Sequence, residues 1–93
     1  MSDTFRFTGI IFKDEVGFAA LCPELDVATD GSDIAVAKAM LLEAVTLYLE
    51  SAIESNLPYL RPVSAAEDPR QTQPQSVVEV FPLNVNISVH AYA

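Results

Sequence analysis

Apolar and polar positions alternate differently in three parts of the chain. FRFTGIIF (Phe5 to Phe12) is dense in aromatic and β-branched residues, the composition of a strand. KDEVG (Lys13 to Gly17) supplies charged and glycine turn chemistry, and FAALC (Phe18 to Cys22) reads as a second strand joined to the first as a hairpin. Pro23 has no amide hydrogen for a ladder, so pairing ends there or the segment lies at an edge. DVAT (Asp26 to Thr29) predicts a short third strand, with Asp30-Gly31 as a turn that uses glycine's freedom at positive φ.

A period near 3.6 follows. Asp33 is a suitable N-cap, and its carboxylate complements the positive end of a helix dipole. Val36 occupies the position where a capping box needs Glu or Gln, so no box forms. The helical pattern runs to about Asn56, and Pro58 stops it. Such a helix is ~35 Å long, beyond the ~20 Å of a typical strand, and is expected to overhang its sheet. Ile34, Ala37, Leu41, Ala44, Val45, Tyr48 and Ala52 share one stripe, the predicted core face, while Glu43, Thr46, Glu50 and Glu54 mark the solvated side. Leu42, Leu49 and Ile53 form a flanking ridge, and Ala35, Val36 and Ala39 are apolar where the solvated face should begin. A helix so widely apolar is buried on more than one side, either by a second subunit or by the chain's own tail.

RPVSAAEDPRQTQPQS (61–76) carries three prolines and few apolar residues, and reads as a loop or linker. Leu83, Val85, Ile87 and Val89 then alternate with Asn84, Asn86, Ser88 and His90, a strand with one apolar face. Val78 and Val80 run in the opposite phase, so a bulge or bend is expected at Phe81-Pro82. The organisation is thus a β-β-β-α core over 1–60, a linker over 61–76, and a strand over 77–93 that completes the same sheet or exchanges into a neighbour's.

Composition narrows the function classes. Ninety-three residues suit a single small domain, and half of them are apolar, as in globular proteins. Thirteen acids against five Lys and Arg give a net charge of −8. That balance disfavours direct nucleic-acid binding, which relies on clustered cations, and suits either solubility alone or a basic protein partner. One cysteine forms no internal disulfide and fits a reducing compartment. The start has no leader pattern and no apolar run reaches membrane-spanning length, so a cytoplasmic protein is expected.

No catalyst emerges from the residue types. Cys22 continues an apolar strand and reads as a small hydrophobe rather than a nucleophile, and its one possible base, His90, lies on the polar side of a terminal strand. Two Cys or His residues in total are too few for structural zinc. Asp26, Asp30 and Asp33 lack the alternate spacing and distal Glu of a calcium loop, so they read as turn and cap residues. The glycines are too dispersed for a phosphate loop. We therefore expect no catalytic, cofactor-binding or metal residues.

The order of these elements, carried by KDEVGFAALCPELDVATDGSD, the helical EAVTLYLE (Glu43 to Glu50) and LPYLRPVS (Leu57 to Ser64), resembles the HicB antitoxin family. LCPELDVATDGSD is the most specific part: the family reads "CPDL" or "CPEL", then glycine, an acid and Thr, then a helix with paired glutamates. Here Asp33 stands in place of the usual Thr, and Ala35-Val36 in place of Glu-Glu. The resemblance covers roughly residues 5 to 64.

The resemblance implies an α+β, two-layer β-β-β-α-β domain, a partly degraded RNase H-like fold with one long helix on a small mixed or antiparallel sheet. Nuclease activity is not expected, because FRFTGIIF lacks the first-strand carboxylate that two-metal catalysis needs. The implied partner is a HicA-like mRNA-cleaving toxin, neutralised by coverage of its RNA-binding or catalytic surface. A homodimer or higher homo-oligomer is also expected. The C-terminal DNA-binding domain of many HicB proteins has no counterpart in 61–93, so direct autorepression is not expected. The alternative is a solitary homo-oligomeric HicB-like domain acting as a scaffold or small-ligand module. In either case Val36, Leu42, Leu49 and Ile53 are the candidate interface residues.

Overall fold

The computed structural model describes residues 2 to 88, so Val89 and His90 lie outside the described residues. Strands β1 (Ser2–Lys13), β2 (Phe18–Cys22) and β3 (Val27–Gly31) precede helix α1 (Ile34–Glu54). A 3₁₀ turn (Ala65–Glu67), a single helical turn α2 (Pro69–Thr72) and strand β4 (Val77–Ser88) follow. The sheet is antiparallel throughout, in the order β3-β2-β1-β4. The α+β architecture and the β-β-β-α-β order are those expected from the sequence.

The core lies between one sheet face and α1. Phe7 and Ile11 of β1, Ala20 and Cys22 of β2, and Leu83, Val85 and Ile87 of β4 meet Ala37, Leu41, Val45 and Leu49 of the helix. The strand residues are alternate positions, and the helical ones recur every four residues, so two periodicities converge on one apolar layer. Leu41 and Leu49 are fully buried, and each burial contributes about 1.5–3 kcal/mol as an upper estimate.

Lengths differ from expectation. β1 and β4 each run for 12 residues, ~40 Å of ribbon, whereas α1 has 21 residues, ~32 Å of helix. The helix therefore does not overhang its sheet, because β1 starts at Ser2 and pairs with β4 along its whole length. β2 and β3 have five residues each, which leaves one half of the ribbon two strands wide. The longer β1 also includes one acid, Asp3, opposite Ile87.

Local chemistry sets the helix ends. The Asp33 carboxylate accepts the Val36 amide at 2.8 Å, an N-cap as predicted. At the other end Asn56 takes φ 53°, Leu57 N–H donates to the Ala52 carbonyl at 2.8 Å, and Asn56 N–H to that of Ile53 at 3.1 Å. That pair of bonds is a Schellman closure with Asn in the left-handed position. Pro58 then prevents continuation.

Two turn expectations are corrected. Gly31 belongs to β3 and no described glycine has positive φ; the left-handed residue before β3 is Asp26, at φ 54°. Glycine is needed at 31 because α1 passes so close that a Cβ would stand 2.5 Å from the Ala37 nitrogen. The bulge falls at Val78, not at Phe81-Pro82: Ile11 pairs with Glu79 and Phe12 with Val77, leaving Val78 without a partner. From Glu79 to Ser88 the register is unbroken, so Val80 faces the side of Ile10, opposite to that of Leu83, Val85 and Ile87, and the phase change at Phe81-Pro82 is a change of apolar face rather than a bulge.

Segment 61–76 is docked rather than free. Arg61 and Val63 amides donate to the Glu24 and Pro23 carbonyls at 3.0 and 2.9 Å, and the Lys13 amide to Ser76 at 2.8 Å. Asp68 caps α2 through the Arg70 amide with Pro69 in its first turn, and both Asp68 and Pro69 are buried. The sheet face away from α1 holds Ile10 and Leu21, both buried.

Candidate functional site

The CPEL stretch is structural. β2 ends at Cys22, and beyond it Glu24 takes over, accepting the Thr8 amide at 3.0 Å and the Thr8 hydroxyl at 2.8 Å. Cys22 is fully buried, with Sγ 3.8 Å from Glu24 Oε1. Burial and then the Glu24 charge push its thiol pKa up to about 12, so at neutral pH it stays protonated and is no nucleophile. The base weighed for it in the sequence, His90, lies outside the described residues.

Among the described residues no group of three Cys, His, Asp or Glu side chains could hold a metal ion. Asp33 is engaged as the N-cap and Asp26 occupies a turn. No helix among them is long and apolar enough to cross a membrane.

What the described surface offers is apolar area on an acidic protein. Val36 (41% exposed) and Leu42 (42%) are accessible, as an interface requires. Leu49 is fully buried in the core, and Ile53 packs partly buried against it. Leu49 is therefore closed to a partner, whereas Ile53 stays partly accessible. The sequence reading missed Met40 (45%) and Leu47 (59%), which project from the outer side of α1 among Glu43, Glu50 and Glu54. Their spacing to Val36 was the available signal.

A second surface runs between α1 and the free edge of β4. A groove of about 390 Å³ is lined by Lys38, Ala39, Leu42, Phe81, Pro82 and Asn84, among others. Lys38 pairs with Glu79 across it and lies 4.7 Å from the Phe81 ring centre, which neutralises this side. The Phe81 ring rests on Gly9, its cross-strand partner, where a Cβ would come within 2.3 Å. Because the Thr8 amide turns toward Glu24, Thr8 and Pro82 form a pair without mutual hydrogen bonds. The donor that Pro82 lacks would thus have faced the open edge, a protected arrangement for an edge strand.

No protein-family model matches the chain, and no curated protein matches it. Among solved structures, a chain of a toxin–antitoxin complex from Streptococcus pneumoniae superposes with a TM-score of 0.60 at 18% identity, over 92% of this chain and 70% of that one. A chain of the HicA3 and HicB3 toxin–antitoxin complex superposes with a TM-score of 0.54 at 18% identity, over 94% of this chain and 100% of that one. At such identity the likeness is one of fold: this architecture occurs in toxin–antitoxin complexes.

Proposed function

We propose that this chain is a HicB-like antitoxin domain that binds a HicA-like, mRNA-cleaving toxin and silences it by covering its RNA-binding or catalytic surface. The observation that carries this reading is the fold shared with chains of toxin–antitoxin complexes over nearly the whole length. The CPEL-to-helix pattern and the net charge of −8 support it, since an acidic surface steers toward a basic partner. The domain acts by steric and electrostatic cover rather than by chemistry, in the bacterial cytoplasm. Co-expression with the toxin encoded beside it tests the reading: the two proteins co-purify and growth is restored. Failure of both sinks it.

A second reading, a homo-oligomeric HicB-like domain without a toxin, draws on the charge-neutral groove between α1 and β4. Two copies of an acidic chain approach most easily there. A monomer in light scattering at micromolar concentration would count against it.

A further inference from the structure

The outer side of α1 holds Val36, Met40, Glu43, Leu47, Glu50 and Glu54, all exposed, at alternating spacings of four and three. Such spacing keeps six side chains in one straight seam, ~27 Å long, as in paired helices. Leu47 is at its centre and is the most exposed large apolar residue of the helix. Glu43, Glu50 and Glu54 lie around or beyond it, and among the described residues none of them is in an ion pair.

These acids are badly placed for the helix itself. Glu50 and Glu54 are four residues apart and repel. Glu54 lies in the last turn, where the dipole favours cations, and no basic residue offsets it there. The one cation of α1, Lys38, is paired with Glu79. Local stability gains nothing from this arrangement, and a solvated face would not need Met40 and Leu47 within it. An apolar centre bordered by unpaired charges of one sign is the anatomy of an interface with an oppositely charged partner. A second copy does not fit, since two seams face to face would bring six carboxylates together.

We infer that this seam is the docking face for a basic amphipathic helix, one that sets apolar side chains on Met40 and Leu47 and Lys or Arg against Glu43, Glu50 and Glu54. The inference rests on the antitoxin reading and assigns the toxin's contact to the outer side of α1, not to the β4 groove.

The test measures binding of the full chain to a catalytically inactive form of the toxin encoded beside it, by calorimetry. Glu43→Gln, Glu50→Gln and Glu54→Gln together relieve the repulsion, so the melting temperature holds or rises while affinity falls about tenfold or more at low salt. High salt narrows that gap. Leu47→Gln weakens binding at both salt concentrations with the fold intact by circular dichroism. Leu42→Gln, in the groove, leaves affinity within about twofold. If the triple variant and Leu47→Gln bind as the parent does, the docking face is wrong and the antitoxin reading stands; if the parent forms no complex, both fall.

Discussion

Glu24 stands where a third stretch of strand would: its carboxylate receives both the amide and the hydroxyl of Thr8, at 3.0 and 2.8 Å. Pro23 ends the β2 ladder and would leave that side of β1 with an unpaired donor, and the next residue supplies the acceptor. Glu24→Ala is expected to cost about 1.5–3 kcal/mol, the range for hydrogen bonds to a charged group, or roughly 4–8 °C per kcal/mol in a domain of this size. Glu24→Gln keeps one acceptor oxygen and loses less. Thermal melts of the two variants decide it, and equal losses would mean that the side chain matters for packing rather than for the bonds.

Cys22 gives a pH signature. Its folded pKa is pushed up to about 12, against 9.0 for an unperturbed thiol, so the folded state binds the proton more tightly than the unfolded state. Stability from this group is complete below pH 9 and declines as pH rises toward 12. A thiol reagent at pH 8 is expected to label the native chain only as fast as it opens. Denaturant should accelerate labelling by orders of magnitude.

Asp68 behaves in the opposite sense. Hydrogen bonds from Arg70, including Nη2 to Oδ2 at 2.7 Å, hold its carboxyl below the usual carboxylate range. Its contribution is therefore present above about pH 4 and lost as pH falls through the lowered value. Stability followed from pH 5 to pH 2 should fall more steeply in the parent than in Asp68→Asn. The difference should be small, because the Arg70 side chain is 40% exposed and solvent screens the pair.

Backbone positions separate into three kinds. Gly31→Ala places a methyl against backbone atoms of Ala37 and should be the most damaging, shifting α1 off β3. Gly9→Ala meets the end of the Phe81 ring, which can swing outward, so its loss should be smaller and should disturb the Lys38 contact. Asn56→Gly, at φ 53°, should raise stability by up to about 1 kcal/mol. Denaturant midpoints rank the three, and a stabilised Gly31→Ala would refute the close approach.

Much of the fold was legible in the sequence because local chemistry and tertiary need agree there. Asp33 caps the helix it was expected to cap, Pro23 stops its strand, and the alternation of Leu83, Val85 and Ile87 places all three in the core. Long-range pairing was not legible. The full length of β1 depends on a partner as many as 86 residues away in sequence (Ser2 opposite Ser88). Val78 and Val80 suggested a bulge at Phe81-Pro82, but Val80 lies opposite Ile10 on the other sheet face, and a change of apolar face reads in sequence just like a skipped residue. The Asp68-Pro69 start of α2 was readable as a cap followed by proline in the first turn, but low apolar content hid it within the apparent linker. For the interface, the burial of Leu49 was not legible because which flank of the helix the sheet covers is not a property of the helix sequence.

The pairing of β1 with β4 also has a consequence for how the chain is made. The central strand acquires its longest neighbour last, so while synthesis proceeds Phe5 and Phe7 have only the emerging helix and Tyr59 to lie against. Non-local pairing of this kind slows folding and leaves incomplete chains exposed to aggregation. A ribosome stalled within the 61–76 segment would hold a chain with its hairpin formed and half of its core open. The whole domain can therefore close only once β4 is free to pair with β1.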